Sequence, residues 1–178
     1  MADFADSKCS GCPYRFQTHL GSTRYFNGRG PLSIEHGNNG DVLLVFQAPG
    51  VVEWEVGQPL QSECNTPSSA GVRINNSWMR MGKTRGDYDI TNAVQCYPGK
   101  YRSNRDKKPR KPSIRCCLEW LKLDIKKGQH KKIIAFGNVA YEQVNKALTQ
   151  LGLCSEVCVI CSKHPSGGVS NNSLDSLW

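Results

Sequence analysis

Apolar residues along this chain fall into two alternating rhythms. Short unbroken runs at 41–46 (DVLLVF), 89–95 (DITNAVQ), 132–136 (KIIAF) and 156–162 (EVCVICS) have the length of buried strands. Between them, apolar positions recur every three or four residues. Ala70, Ile74, Trp78 and Met81 form one such stripe; Ile114, Cys117, Leu118, Leu121 and Ile125 form a second; Ala140, Val144, Ala147, Leu148 and Leu151 form a third. Each stripe is the buried face of a helix. Thr66-Pro67-Ser68-Ser69 reads as a helix start, with proline near the first turn and hydroxyls able to cap open amides, and Gly82 ends that helix.

Strands that alternate with helices predict an α/β fold, a three-layer sandwich with a central, mainly parallel four-stranded sheet, because crossover helices must join neighbouring parallel strands. Ligands in such sheets bind beyond the carboxyl ends of the strands. Those ends are QAPG at 47–50, the residues around Asn92, FGN at 136–138 and KHPSGG at 163–168. Polar chemistry is therefore expected on one rim. The tail GGVSNNSLDS reads as a low-complexity stretch, and no internal repeat is visible.

The chain has 178 residues, the size of one domain spanning 1–178, with an N-terminal arm over 1–40. Its formal net charge is +8, and the excess is concentrated. Between 99 and 115 lie Lys100, Arg102, Arg105, Lys107, Lys108, Arg110, Lys111 and Arg115, opposed only by Asp106. Such a segment attracts a polyanion through counterion release. The competing reading is a solvated loop. No apolar run approaches the roughly 18 residues of a membrane helix, and the polar ADFADSKCSG follows Met1, so a soluble, cytoplasmic monomer is expected.

In a reducing compartment, the nine cysteines mean metal binding or burial rather than disulfides. Cys9 and Cys12 open the chain, Cys96 closes the second strand, and Cys116/Cys117 open a helical pattern, so thiols distant in sequence sit where segments end and are able to converge. Four converging thiolates make a metal centre. A rival grouping pairs Cys9-x-x-Cys12 with Cys158-x-x-Cys161 as a zinc ribbon. Against it, Cys158 and Cys161 sit inside an apolar run, where thiols are buried as small hydrophobes. Cys64 and Cys154 are read as structural.

Five short motifs then stand in order: Phe46-Gln47-Ala48-Pro49-Gly50 with Glu53 three positions on, Gly57-Gln58-Pro59-Leu60, Asn92-Ala93-Val94-Gln95-Cys96-Tyr97-Pro98, KKIIAFGNVA, and His164-Pro165-Ser166. Together they resemble the uracil-DNA glycosylase superfamily, and most closely its iron–sulfur branch, family 4. The resemblance runs from Cys9 to Ser166. It implies a [4Fe–4S] cluster on Cys9, Cys12, Cys96 and one of the adjacent pair, with Cys117 preferred because Cys117, Trp120 and Leu121 match the family's C-x-x-Y-L.

The resemblance also implies DNA, single- or double-stranded, as partner and hydrolysis of an N-glycosidic bond as activity. Glu53 would orient the attacking water and stabilise a cationic sugar, while His164 would donate to the base oxygen O2. Asn92 would pair with one pyrimidine edge, backbone amides around Gln47 and Ala48 would add donors, and Leu60 would lie against the base. Lys100, Arg102, Arg105, Lys107, Lys108, Arg110 and Ser166 would contact the nucleic acid. No lysine occupies a motif position, so a Schiff-base lyase step is not expected.

Two departures bear on the base. Leu60 stands where the family has phenylalanine, and Gln47 where it has glutamate. The open substrates are uracil in a relaxed pocket or a 5-substituted cytosine, as in defence against modified viral DNA. Beyond His164-Pro165-Ser166 the chain lacks the family's bulky wedge, which points to mismatched, open or single-stranded DNA. The remaining alternative is a non-catalytic nucleic-acid-binding module with a structural metal.

Overall fold

The four apolar runs form one wholly parallel sheet, in the order β2-β1-β3-β4. In this computed structural model, residues 8–14, 31–38, 40–61, 68–101, 106–166 and 168–178 are described. The strands are β1 (Val42–Phe46), β2 (Asp89–Asn92), β3 (Lys132–Phe136) and β4 (Cys158–Ser162). The helices are α1 (Val51–Val56), α2 (Ser69–Arg80), α3 (Lys111–Gly128), α4 (Asn138–Leu151) and α5 (Asn171–Asp175).

Alternation along β1 builds the two outer layers. Leu43 and Val45 pack with Leu121 and Ile125 of α3 and Val144 and Leu148 of α4. Leu44 and Phe46 face the other way, onto Ile74 and Trp78 of α2 and Leu174 of α5. The chain winds one way from β1 to β2 and the other way from β3 to β4. This puts the switch point, where open α/β sheets bind ligands, at the carboxyl ends of β1 and β3.

The helix start at Ser68 is as expected: its hydroxyl accepts from the Gly71 N–H at 3.2 Å. Thr66 and Pro67 lie outside the described residues. Met81, read as part of the buried stripe, is exposed, because it sits at the C-cap where Gly82 reverses the chain. The expected strand over 89–95 ends at Asn92. Ala93 and Val94 continue the pairing, their N–H groups donating to the Phe46 and Gln47 carbonyls at 2.7 and 3.0 Å, and both are fully buried beneath α3 and against the thiols. The fourth strand begins at Cys158, after Glu156 and Val157 turn back onto the Leu153 carbonyl.

Two elements were not anticipated. Residues after Pro49 form α1, whose third residue Glu53 accepts from the Gly50 N–H at 2.9 Å and whose Trp54 is buried. The polar tail contains α5, with Leu174 fully buried. It is held by Arg80, which donates to both Asp175 carboxylate oxygens at 2.9 and 2.7 Å, and by Trp178 Nε1, which donates to Ser77 Oγ at 2.7 Å. Leu174 and Leu177 suffice to dock it, too few apolar residues to register as a stripe.

Candidate active site

The carboxyl ends of three strands open onto a cavity of about 180 Å³. Phe46 ends β1, Asn92 ends β2, and His164 and Ser166 follow β4; all four line it. Ala48, Gly50, Glu53, Leu60, Ser68 and Asp106 complete much of the wall. Of the candidate residues, Glu53, Ala48, Leu60, Asn92, His164 and Ser166 are therefore brought together. The end of β3 serves otherwise, as Gly137 caps α4. Gln47 does not line the cavity, and its carbonyl instead accepts from the Val94 N–H at 3.0 Å, extending the β1 to β2 ladder.

Glu53 is held by α1 and by three donors. Burial raises its pKa above the usual carboxylate value; the Gly50 amide and the Ser68 hydroxyl oppose that shift, Asp106 adds to it by like-charge repulsion, and the Leu60 amide opposes it. Leu60 reaches the carboxylate with its N–H because its backbone is left-handed, at φ 59°. For a branched residue this costs on the order of 1–3 kcal/mol and persists only where surroundings enforce it. Arg85 supplies part of that enforcement, donating to the Pro59 carbonyl at 2.6 Å while paired with Glu35.

His164 is half-buried against the edge of Phe46, with ring centroids 6.1 Å apart. Phe46 is itself stacked on Phe136 at 4.6 Å. Burial lowers the His164 pKa, against the attraction of Asp106, so the ring is neutral at pH 7. The Ser166 N–H points at Nδ1 at 3.3 Å and the Ser166 hydroxyl lies 2.8 Å from it, an arrangement that makes Nδ1 the acceptor and leaves the ring proton on Nε2. The loop that carries the imidazole is gripped from α2, where the Arg73 guanidinium donates to the Pro165 and Val169 carbonyls.

Asn92 is 3% exposed at the end of β2. The segment that follows it is fixed from α3. Asp124, buried and pushed up to about 6 by that burial, accepts from the Thr91 hydroxyl and the Gln95 side-chain amide, both at 2.9 Å.

Beyond Gln95 the thiols gather. Cys9, Cys12, Cys96 and Cys117 are all buried in one cluster with Tyr14 and Val94. Burial, with the neighbouring cysteines adding to it, drives the Cys117 pKa up to about 12 against a hydrogen bond from the Gln95 amide. Burial also raises Cys96, and its thiolate is disfavoured further by Cys117, Cys12 and Cys9. Four thiols so enclosed fit a group that supplies compensating positive charge to thiolates. Among the described residues, no three His, Cys, Asp or Glu side chains stand at the spacing of a single-ion site. Cys116 is half-buried against the same cluster, with its thiol against the Ser10 carbonyl at 3.6 Å and in hydrogen-bond contact with Cys12, so Cys117 is the more deeply buried member of the pair.

Cys158 and Cys161 are exposed on the edge strand β4, away from Cys9 and Cys12. The ribbon grouping is thus not brought together, and the expectation that these two are buried is corrected: β4 pairs on one side only, and the helices leave part of it uncovered. Cys154 is also exposed, and Cys64 lies outside the described residues.

Lys100, Lys108 and Arg110 are exposed and Lys107 is half-buried beside the cavity loop; Arg102 and Arg105 lie outside the described residues. Lys111 and Arg115 belong to α3, whose helix begins five residues before Cys116 and so takes up part of the basic segment. The Arg110 N–H donates to the Tyr14 hydroxyl at 3.0 Å, joining the thiol segment to the start of that helix.

Sequence reasoning missed Phe46, Ser68 and Asp106. Phe46 was visible as the first residue of a motif, but as strand core. Asp106 was counted only as an opposing charge.

Comparison with known proteins adds to this geometry. The type-4 uracil-DNA glycosylase of Pyrobaculum aerophilum is 33% identical over 110 residues, covering 62% of this chain and 48% of the relative, so the match spans about half of that protein's length. The family model for the uracil DNA glycosylase superfamily matches residues 34–178, a span that contains Glu53, Asn92, Cys96, Cys117 and His164 and begins after Cys9 and Cys12. A match over most of the chain, on a wound parallel sheet with its polar residues at the strand ends, shows that the chain belongs to the uracil DNA glycosylase superfamily.

Proposed function

We propose that this chain is a monofunctional DNA glycosylase that hydrolyses the N-glycosidic bond of a flipped-out uracil or modified pyrimidine. The observation that carries the reading is the meeting of Glu53, Asn92 and His164, from three separate segments, in one cavity at the strand ends. As the bond between C1′ and the base nitrogen breaks, its electron pair leaves with the base. Water adds through oxygen at C1′ and gives its proton to Glu53; the released base takes a proton from solvent. The Nε2–H of His164 donates to O2 as negative charge collects there, and Asn92 reads the pyrimidine edge with one donor and one acceptor.

A [4Fe–4S] cluster on Cys9, Cys12, Cys96 and Cys117 fits the donor set and supplies a structural tie. Cys96 lies four residues after Asn92 and Cys117 six after Lys111, so the same thiols fix the base-reading segment and the basic segment. A second substrate reading, a bulky 5-substituted cytosine, is favoured by the small side chains of Ala48, Gly50, Ser68, Ser69 and Ala70 in the cavity wall and by Leu60 in place of an aromatic ring. DNAs carrying a panel of pyrimidines, incubated with the protein and followed by mass spectrometry of the liberated bases, test both. Release of uracil alone sinks the second reading, and release of nothing sinks the enzyme.

Lys100, Lys107, Lys108 and Arg110 would grip phosphates. Lys108→Ala with Arg110→Ala is expected to reduce the slope of log affinity against log salt by about 1.8 for duplex and about 1.4 for single strands. Affinity measured by fluorescence anisotropy over a salt series checks this, and an unchanged slope would return the segment to a solvated loop.

A further inference from the structure

We propose that Asp106 is a second catalytic carboxylate, set on the sugar side of the cavity to stabilise the positive charge that develops at C1′. The proposal rests on the glycosylase reading above.

Asp106 lines the same cavity as Glu53, Asn92 and His164, although it belongs to the basic segment. Its charge acts on both Glu53 and His164. On the proposed reading those two groups flank the scissile bond, Glu53 at C1′, which is bonded to the base nitrogen, and His164 at O2, on the ring carbon next to that nitrogen. A carboxylate felt by both stands beside the bond rather than at the far pyrimidine edge. The backbone holds it there: Lys100 and Asp106 form an antiparallel bridge, and the Lys107 N–H donates to the Gly99 carbonyl at 2.8 Å.

Glu53 alone is poorly suited to stabilising the sugar. An ionised carboxylate offers about four acceptor positions. Gly50, Leu60 and Ser68 occupy three, drawing its charge away and leaving about one position for the water. Among the described residues Asp106 meets a long contact in comparison, the Tyr97 hydroxyl at 3.5 Å. A negative charge among phosphate-gripping lysines weakens DNA binding by repulsion. Its place in the cavity gives it a different task. When Lys107 and Lys108 engage the phosphates, Asp106 between them and Lys100 is seated over the extruded nucleotide. It exchanges neither proton nor electron, and the balance of the reaction is unchanged.

The test is Asp106→Asn in the full chain, with oligonucleotides carrying whichever base the wild type releases. The single-turnover rate at saturating DNA is expected to fall by about 10²-fold, while affinity is unchanged or tighter. A pH profile separates this from a packing role. Activity requires ionised Glu53, so the wild-type rate falls as pH drops through a Glu53 pKa held above its ordinary value. Asp106 and His164 are the charged or titratable groups facing Glu53 in the cavity. Removing Asp106 lowers the Glu53 pKa, and the acid limb moves to lower pH. Asp106→Glu should recover part of the rate. A variant with wild-type rate and an unmoved limb overturns the proposal. So does a lost rate matched by lost affinity with the limb unmoved. Failure of the underlying reading looks different: the wild type itself then releases no base.

Discussion

Glu53→Gln is expected to lower the single-turnover rate of base release by about 10²–10⁴-fold and leave DNA affinity within a few-fold of wild type. The substitution preserves length and an oxygen able to accept from the Gly50 amide, so α1 retains its N-terminal bond. Under the proposed mechanism it removes the group that takes the proton from water. Burial without a charge removes no stabilising ion pair, since the partners of Glu53 are amides and a hydroxyl. Rapid-quench assays of abasic-site formation and anisotropy titrations measure the two quantities. Equal rates in the two proteins would remove Glu53 from the mechanism. Intact binding with no base release from the wild type would instead identify a DNA-binding module.

The second large effect is expected at the thiols. Cys96→Ser should abolish the broad visible absorbance of an iron–sulfur protein, reduce iron from about four per chain to near zero, lower the melting temperature and eliminate base release. Each follows from position. Cys96 is 5% exposed, Asn92 lies four residues before it, and Cys9, Cys12 and Cys117 share its enclosure. Losing one thiolate leaves the others as buried groups without compensation, and the raised pKa of Cys117 shows that this enclosure disfavours negative charge. Cys116→Ser, at the half-buried neighbouring position, should retain colour and activity. Iron analysis, visible spectra and thermal melts of both variants decide the matter. Stoichiometric zinc in a colourless wild type would replace the cluster, and loss of colour in Cys116→Ser alone would exchange the two ligands.

Much of the scaffold can be read from the chain because its causes are local. Four apolar runs and three stripes suffice for a parallel sheet with helices on both faces, since a run buried on both sides has few other ways to lose its water contact. The strand ends are legible for the same reason, and with them Ala48, Asn92 and His164. Where the rhythm is brief the reading fails. The short helices α1 and α5 carry one buried residue each, Trp54 and Leu174, below what a periodicity can signal. The 93–94 pair continues the pairing past β2 and is buried against α3 and the thiols, and apolarity does not mark where the strand ends.

By itself the sequence determined the α/β architecture, the rim on which polar residues collect, and a set of thiols at segment ends. Only the tertiary structure decided which groups meet. It buried Cys117 with Cys9, Cys12 and Cys96 while leaving Cys116 half-buried at the margin of that cluster, and left Cys158 and Cys161 exposed on an edge strand. It turned Leu60 into a backbone donor through a left-handed φ, withdrew Gln47 from the cavity, and carried Asp106 from a basic segment to within electrostatic reach of Glu53 and His164. The physical reason is common to all of these. Burial patterns are set by neighbours along the chain, whereas charge, hydrogen bonding and ligation depend on distances between residues whose separation in sequence carries no information about their separation in space.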